Sequence, residues 1–404
     1  MWKRFAALLR CPMCHQAIEL VAFEERSTPI EEEYRRRAER EGLWSEEFSR
    51  YVEAGVLLCT GCRVWFPIVQ GVPVLLRHAT ALHHQVAAAW RTEARGIPAG
   101  YRVPDGEPIA GEEFVMRSFS MEWLPYQYDG VVWDLSYEDH ERRFLQEVGA
   151  VPAVAKVFLE VGCGIGMTTF LAQRNLAVDA IGVDLSLSVL RAAQHFASNP
   201  FVHFVQASAF SLPFQTGSSD IVYSHGVLHH TYSTEEALRA IARYCRPGGV
   251  LYIWVYGRAS GGGSPLRRLA YHVEQLVRPT IGKHLNSVVS RMFLAGVACC
   301  YLGVNALHRL GRSGVQPYSY RHGLHAARDR FTPLYAHRHE DREVVQWFGE
   351  QGLQRLRLSI GGRCLPLTRR TTAGTSECAG VASRVRPLHE QSASPRPFRG
   401  RFVA

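Results

Sequence analysis

The sequence predicts an α/β fold with a parallel sheet, and three observations lead to that class. A short apolar segment, residues 157–161, runs into a glycine-rich turn at residues 162–166, and a helical pattern follows. A second apolar segment, residues 180–184, ends in the acid Asp184. Between residues 156 and 255, strand patterns go on alternating with helix patterns, as a parallel α/β sheet requires.

The glycine-rich turn predicts a ligand site. Glycines let backbone N–H groups approach a ligand closely at the N-terminus of a helix. Asp184 stands where an acid accepts hydrogen bonds from a ribose diol. Glu160, just before the turn, would repel a pyrophosphate but could hold the ammonium group of an amino acid moiety. These residues favour a nucleoside cofactor over the alternative, a plain strand-to-helix loop.

The same residues resemble motif I of the class I S-adenosylmethionine (SAM) methyltransferases of the type 11 kind. Three further segments continue the resemblance in the family's order: residues 206–214 look like its adenine-binding loop, residues 219–231 like its fourth strand with the following turn, and residues 246–253 like the turn into its fifth strand. The resemblance implies a Rossmann-like sheet, a SAM cofactor and methyl transfer. One position departs from the pattern, because Ser208 stands where the adenine loop usually carries an acid.

The resemblance also implies which residues contact SAM. All belong to segments at the carboxyl edge of the expected sheet, where open α/β folds bind their ligands. They lie in or beside the glycine turn, after the second strand, in the adenine loop and around the end of the fourth strand: Glu160, Gly162, Cys163, Gly164, Gly166, Asp184, Leu185, Ser208, Ala209, Phe210, Ser224 and Gly226.

Two histidines are the candidate catalytic residues. Methyl transfer from a sulfonium is an in-line displacement with a good leaving group, so alignment matters most and a base is needed only for some acceptors. His229 follows the fourth strand, and His337 lies between Tyr335 and His339 before the last helix. Shaping the pocket is the alternative role for His229, and packing a loop is the alternative for His337.

Two C-x-x-C pairs near the start of the chain predict a zinc site. Four thiolates suit a tetrahedral structural ion that has no open position, and the pairs supply them as Cys11, Cys14, Cys59 and Cys62. Buried unliganded thiols and a redox pair are the alternatives. Together with a hairpin pattern at residues 64–76, the pairs resemble a Trm112-like zinc ribbon.

The patterns divide the chain into six parts. In order, they are a zinc ribbon with a helical insert at residues 30–54 (1–80), a linker and N-terminal cap (81–155), the SAM-binding core (156–257), a helical lid insertion (258–330), the end of the core (331–363) and a disordered basic tail (364–404). Four aromatic residues of the cap are expected to pack on the sheet or to close over the cofactor: Trp123, Tyr126, Tyr128 and Trp133.

The tail is expected to be disordered because it is rich in Arg, Ser, Thr and Pro and poor in core-forming residues. The family's closing seventh strand is therefore expected to be missing or poorly formed. If part of the tail joins the sheet, residues 364–367 are the best candidates, and Pro366 would confine them to an edge.

The excess positive charge of the chain, +9 in total, sits in two segments. Residues 258–330 carry +9 and residues 363–404 carry +6, which leaves −6 on the rest of the chain. The core is thus not basic, and nucleic acid is not expected as a partner. An RNA methyltransferase remains an alternative function, as does a non-catalytic scaffold that binds a partner through the ribbon.

The insertion contains an uncharged run of sixteen residues, 292–307. A membrane span needs about twenty apolar residues, so a buried helix of a lid is the favoured interpretation. The alternative is an interfacial helix, flanked by arginines, that makes peripheral contact with a membrane through residues 258–330. The methyltransferase resemblance implies that substrate recognition lies in this insertion, and we expect a small-molecule or lipid-linked acceptor there.

The cysteines and the start of the chain predict a cytoplasmic protein. Four of the ten cysteines fall in the C-x-x-C pairs and not in a spread disulfide framework, which is typical of a reducing compartment. The apolar run at the start is too short for a signal peptide. The sequence leaves the methyl acceptor and the oligomeric state open.

Overall fold

The computed structural model describes most of the chain: residues 1–90, 97–132, 135–149, 155–257, 265–284, 287–311, 317, 319–360, 363–367 and 379–384. The described parts comprise a four-stranded sheet near the start of the chain, a cap with a two-stranded sheet, an eight-stranded sheet and a helical insertion. Trp133 of the cap lies outside them.

The small sheet is the expected ribbon. A short 3-10 helix, Lys3–Leu8, is followed by β1 (Glu19–Ser27), α1 (Glu32–Arg40), β2 (Arg50–Cys59), β3 (Val64–Val69) and β4 (Val72–Pro73). The strands are antiparallel and pair in chain order, which includes the hairpin expected at residues 64–76. The insert that the sequence predicts to be helical spans residues 30–54, but only α1 within it is an α-helix. Residues 50–54 already belong to β2 and pair with β1.

The cap and the first part of the core follow the ribbon. The elements of the cap are α2 (Ala81–Trp90), α3 (Glu112–Trp123), β5 (Val131–Val132), β6 (Leu135–Ser136) and α4 (Tyr137–Val148). The elements of the core are β7 (Val157–Val161), α5 (Met167–Leu176), β8 (Asp179–Asp184), α6 (Ser188–His195), β9 (Val202–Gln206), β10 (Ser219–His225), α7 (Thr234–Ala242) and β11 (Cys245–Trp254).

The helical insertion separates these elements from the end of the core. It comprises α8 (Pro265–Lys283), α9 (Val288–Gly311) and α10 (Tyr320–Phe331). The chain then completes the sheet through α11 (Asp341–Glu350), β12 (Gln354–Ile360), β13 (Arg363–Leu367) and β14 (Ala379–Arg384).

The large sheet has the Rossmann-like arrangement that the sequence predicts. Its strand order is β9-β8-β7-β10-β11-β14-β12-β13, and the five strands from β9 to β11 in this order are parallel. Phe158, Leu159, Val222 and Leu251 on the central strands are fully buried, as a parallel sheet covered on both faces requires. The strand order reverses between β7 and β10, so a ligand crevice opens at their carboxyl ends.

The prediction of a disordered tail over residues 364–404 is wrong for two segments, which form strands β13 and β14 of the large sheet. β13 pairs with β12 as an antiparallel edge strand, which agrees with the edge position expected for Pro366. β14 lies between β11 and β12 and runs parallel to both. It occupies the place of the closing strand, which the sequence predicts to be missing or poorly formed. Backbone pairing supplies the reason, because the facing edges of β11 and β12 need partners that composition does not reveal. Residues 368–378 and 385–404 lie outside the described parts.

The insertion also differs from the expected buried lid helix. α8 and α10 pack against one side of α9, where a Cβ on Gly323 would lie only 2.8 Å from the carbonyl oxygen of Ala298. The other side of α9 faces outward, and only 17% of the apolar stretch within Val288–Leu307 is buried. By length and composition alone, this is the one described helix that is apolar enough to cross a membrane.

The ribbon packs onto the β9 edge of the large sheet. The Leu75 amide, just after β4, donates to the Gln206 carbonyl at 2.8 Å, and the Arg10 amide donates to the Pro213 carbonyl at 2.8 Å. These two hydrogen bonds lie at either end of the predicted adenine loop. Apolar residues of the ribbon and of this loop belong to one buried cluster. The ribbon therefore supports the loop from outside.

An ion pair anchors the ribbon to the core. Arg4 donates to both carboxylate oxygens of Asp179, at 2.5 and 3.2 Å, and to the Pro200 carbonyl at 2.9 Å. Burial alone would raise the pKa of Asp179, but His203 and Arg4 hold it well below its usual range. Because the folded pKa is lowered, the pair stabilises the fold above the unfolded pKa of about 4 and loses this effect as the pH falls.

Arg4→Ala should lower the free energy of unfolding by about 3 kcal/mol at neutral pH, because it leaves Asp179 buried without its partner. Urea unfolding measures this. Arg36→Ala is the control, since Arg36 pairs with Glu32 on an exposed face of α1 and such a pair contributes about 0.3–0.5 kcal/mol. The gap between the variants should shrink below about pH 4. Equal losses at neutral pH would show that this pair does not anchor the ribbon.

Candidate cofactor site and metal centre

The turn after β7 contains three glycines with positive φ angles, a backbone conformation that favours glycine. Gly162, Gly164 and Gly166 have φ angles of +82°, +53° and +78°. A Cβ on Gly162 would lie 2.1 Å from a methyl carbon of Val227, and one on Gly166 would lie 2.5 Å from the ring of Phe204. Packing therefore requires glycine at the first and last of these positions, and the middle glycine has more room.

Asp184, at the end of β8, contacts the glycine turn directly. Its Oδ2 accepts a hydrogen bond from the Gly164 amide at 2.7 Å, and its Oδ1 accepts one from the Ser186 amide at 2.7 Å. Each carboxylate oxygen has a second lone pair, so the group can still accept from a ribose diol. The structure thus brings the turn and the acid together, as their positions in the sequence predict.

Glu160 lies inside the sheet. Its side chain is almost fully buried, and Thr169 Oγ1, in the first turn of α5, donates to its Oε2 at 2.5 Å. Burial raises the pKa of Glu160 to about 8. A nearby ammonium group would favour the ionised form, so the contact with an amino acid moiety stays a prediction that this environment permits.

The predicted adenine loop follows β9. The Ser208 hydroxyl is buried and accepts a hydrogen bond from the Phe210 amide at 3.2 Å. Gln206 Nε2 donates to the Leu185 carbonyl at 2.9 Å, which ties the start of the loop to the chain after β8. The Phe210 ring lies 4.8 Å from that of Tyr232. Ser208 therefore shapes the loop, and its bond to an adenine stays a prediction.

The remaining predicted cofactor contacts lie at the same edge of the sheet. Cys163 is buried within the glycine turn, and Ala209 packs against the hydrophobic core from the adenine loop. The Ser224 hydroxyl donates to the Val161 carbonyl at 2.9 Å, which ties β10 to β7. Gly226, directly after β10, turns the chain with a φ of +76°. The structure brings all the predicted cofactor residues to this edge of the sheet.

Aromatic residues of the cap reach the glycine turn. The Trp123 ring, at the end of α3, lies 3.6 Å from the position of a Cβ on Gly164. The Tyr128 hydroxyl donates to the Ile165 carbonyl at 2.7 Å. Tyr126 is buried beside Trp123, with 5.3 Å between the ring centroids. The cap therefore packs at the mouth of the predicted cofactor site.

The two candidate catalytic histidines are neighbours through their backbones. The His337 amide donates to the His229 carbonyl at 2.9 Å. The His229 ring is fully buried, burial lowers its pKa well below the usual value, and neither ring nitrogen has a hydrogen-bond partner among the described residues. His337 Nε2 lies 3.0 Å from the Thr231 carbonyl, to which it donates, and the residue lines a cavity of about 480 Å³. Catalysis by either histidine stays a prediction.

Sequence reasoning missed a buried group beside these histidines. The cap and α10 bring it together with the chain after β10 and β11: Glu122, His230, Tyr256, His325 and Asp329. No motif spacing joins residues so far apart in the chain. The sequence offers one signal for this group. Asp329 is one of only two acids among the eleven basic residues of residues 258–330.

The four predicted zinc ligands converge. Cys14 Sγ lies 3.5 Å from Cys59 Sγ, and every pair within the set lies within 4.8 Å: Cys11, Cys14, Cys59 and Cys62. A tetrahedral Zn²⁺ with Zn–S distances of about 2.3 Å would space its sulfur atoms by about 3.8 Å, so this donor set fits a structural zinc ion. His15 and Arg63, each directly after a C-x-x-C pair, turn the chain with φ angles of +60° and +55°.

Two family models match the chain. Residues 159–253 match the model described as a methyltransferase domain, of type 11, and residues 3–71 match the model of Trm112p-like proteins. The core is a class I methyltransferase domain, and the ribbon is a Trm112-like domain. Both findings confirm the resemblances in the sequence.

Similar proteins cover part of the chain. Phosphoethanolamine N-methyltransferase of Triticum aestivum is 29% identical over 119 residues, which are 29% of this chain and 23% of that protein. A tRNA U34 carboxymethyltransferase of Methylococcus capsulatus is 30% identical over 132 residues, 32% and 41% of the two chains. A solved phosphoethanolamine N-methyltransferase 2 of Haemonchus contortus has 22% identity and a TM-score of 0.34, over 42% of this chain and 41% of that one. The chain therefore spans less than half the length of either curated relative.

Asp184→Ala should weaken SAM binding by about 1–3 kcal/mol, because it removes the acceptor for the ribose diol. Isothermal calorimetry measures the affinity, and circular dichroism checks that the variant is folded. Glu138→Ala, which changes an exposed acid at the start of α4, should leave the affinity unchanged. A folded Asp184 variant with wild-type affinity would refute the assignment.

Cys59→Ser should remove the metal from a protein that otherwise carries about one zinc ion per chain. Elemental analysis measures the content. Because the ribbon supports the predicted adenine loop, the variant should also bind SAM more weakly. Cys300→Ser, at an exposed position on α9, should retain both zinc and SAM affinity. A folded wild-type protein without zinc would contradict the metal assignment.

Proposed function

We propose that this protein is a cytoplasmic SAM-dependent methyltransferase that modifies a small-molecule or lipid-linked acceptor. The observation that carries the activity is the hydrogen bond from the Gly164 amide to Asp184 Oδ2. It joins the glycine turn to Asp184, the acid predicted to bind ribose, inside the segment that matches the methyltransferase family. Asp184 would hold the ribose, and Glu160 the amino acid end, of the cofactor.

When bound, SAM supplies an electrophilic methyl group on a sulfonium. The methyl carbon would pass to the acceptor atom as its bond to sulfur breaks, and the electron pair of that bond would stay on the sulfur of S-adenosylhomocysteine. The chain has to align the two reactants and exclude water. Where the acceptor atom carries a proton, we propose His229 as the base, because burial keeps its ring neutral.

Charge favours a small or lipid-linked acceptor over RNA. The names of the relatives point to acceptors as different as phosphoethanolamine, a tRNA and a malonyl-[acyl-carrier protein]. Outside residues 258–330 and 363–404, this chain carries −6, so the core offers little attraction to a phosphate backbone.

The lipid-linked option is supported by an apolar stripe on α9. Its members recur at spacings of three or four along the exposed side of the helix: Val289, Met292, Gly296, Cys299, Gly303, Leu307 and Leu310. Leu307 and Leu310 are 68% and 86% exposed. Arg291 and Arg309 are exposed on the same helix. An exposed apolar stripe with nearby arginines is typical of a helix that lies on an anionic lipid surface.

Methyl-labelled SAM tests the proposed activity. The protein is incubated with the label and with three fractions of a cell extract, which contain the lipids, the aqueous small molecules and the RNA. We expect label in one of the first two fractions, and much less of it with Asp184→Ala at a SAM concentration below saturation. Label in RNA alone would support an RNA methyltransferase, and a protein that binds no SAM would support a non-catalytic scaffold.

Met292→Glu combined with Leu307→Glu should reduce membrane binding more than tenfold, because each apolar side chain buried in lipid contributes about 1.5–3 kcal/mol. Co-sedimentation with vesicles of phosphatidylserine and phosphatidylcholine measures the effect, and phosphatidylcholine alone should bind less protein. Leu145→Glu, which changes an exposed leucine on α4, is the control. If the wild-type protein binds neither kind of vesicle, the prediction of membrane contact is wrong. The proposal of methyl transfer is tested separately, by the labelling experiment.

A further inference from the structure

A buried group of titratable side chains lies between the cap, the insertion and the carboxyl edge of the sheet. We name it the acid cluster, and its members are Glu122, His230, Tyr256, His325 and Asp329. They come from α3, from the turn after β10, from the chain after β11 and from α10. The two acids and the two histidines are all buried.

Glu122 is the member that needs an explanation. Its side chain is fully buried, and no group in the described part of the chain donates a hydrogen bond to either carboxylate oxygen. His325 Nε2 approaches Glu122 Oε1 at 3.4 Å. A buried acid without donors destabilises a fold. Folding alone therefore gives little reason for a glutamate at this position.

An ion pair with His325 does not account for Glu122. Burial raises the pKa of Glu122 well above its usual value, the charge of Asp329 raises it further, and Arg328 opposes this shift. Burial also lowers the pKa of His325 to about 4. Both shifts disfavour the charged forms of Glu122 and His325, so their contact gains little from the attraction between opposite charges.

Asp329 keeps a negative charge in the cluster. It accepts a hydrogen bond from the Tyr256 hydroxyl, and its Oδ1 lies 3.6 Å from His230 Nε2. Burial works against ionisation, yet these two contacts hold the pKa of Asp329 below its usual value. The cluster thus contains one carboxylate and a second carboxyl group that can ionise. Such a pair attracts a cation and repels an anion.

Aromatic rings surround the cluster. The Phe119 ring lies 5.2 Å from that of His230, and the Trp123 ring lies 4.7 Å from that of His325. The Tyr126 ring lies 5.6 Å from that of His325, but the guanidinium of Arg321 already lies over it at 4.6 Å, so Phe119 and Trp123 are the faces left for a ligand. Aromatic faces attract cations, most strongly where water is excluded. Because Trp123 also lies against the glycine turn, the cluster adjoins the predicted methyl-donor site.

We propose that the acid cluster binds a positively charged amine of the methyl acceptor, with Glu122 and Asp329 as its counter-charges. The inference rests on the proposed function, because a methyl acceptor has to lie beside the cofactor at this edge of the sheet. An amine, primary or already methylated, is the chemical class that carboxylates and aromatic faces recognise together. The bound cation stabilises the ionised form of Glu122, which then releases its proton.

Calorimetry with simple amines tests the proposal. The full-length protein is titrated with ethanolamine, with choline and with 3,3-dimethylbutanol, the uncharged carbon analogue of choline, in the presence of S-adenosylhomocysteine. We expect binding of at least one amine and at least tenfold weaker binding of the neutral analogue. Titrations near neutral pH in buffers of different ionisation enthalpy should show release of up to about one proton per bound amine.

Glu122→Gln keeps the shape of the side chain and removes its charge. It should weaken amine binding about tenfold and abolish the proton release, with S-adenosylhomocysteine affinity unchanged. Glu113→Gln, at an exposed position on the same helix, should change neither property. Wild-type protein that binds S-adenosylhomocysteine but neither amine, or a Glu122→Gln variant that keeps both amine affinity and proton release, would overturn the inference. Amine binding with these properties but without S-adenosylhomocysteine binding would support the inference and refute the proposed function.

Discussion

The hydrogen bond from the Gly164 amide to the Asp184 carboxylate is the contact on which the candidate site depends. It holds the turn after β7 against the end of β8, so the N-terminus of α5 and the acid predicted to bind ribose lie together at the carboxyl edge of the sheet. The turn can come this close because Gly162 has no side chain to collide with Val227. The close approach of these two backbone segments thus links the strand order of the sheet to the predicted position of the cofactor.

The ribbon extends this arrangement to a second contact region. Its hydrogen bonds from Leu75 and Arg10 hold the two ends of the predicted adenine loop, and Arg4 pairs with Asp179 at the start of β8. A metal ion on the four cysteines would therefore stabilise more than the ribbon, because the ribbon's apolar residues share a core with the loop. This coupling gives a physical reason for a Trm112-like domain and a methyltransferase domain to occur in one chain.

The insertion has two faces with different chemistry. α10 turns His325 and Asp329 inward toward Glu122 of the cap, and α9 presents an apolar stripe outward. One segment could thus meet both the polar group of an acceptor and the lipid surface that carries it. The density of basic residues in the insertion suits an anionic surface outside, and the two buried acids provide the opposite charge where a methyl acceptor would lie.

Local patterns were enough to predict the central part of this protein. The glycine turn, Asp184 and the C-x-x-C pairs act over a few residues, or over one strand–helix–strand unit, so their spacing implies their geometry. The tertiary structure alone decided three other features. β14 takes its place because the edges of β11 and β12 need backbone partners, and strand propensity does not report this need. The apolar run of α9 is exposed because its neighbours cover one side only, which periodicity cannot reveal. Glu122 and Asp329 share a cluster because long-range packing brings the cap and α10 together, and no spacing in the sequence encodes that contact.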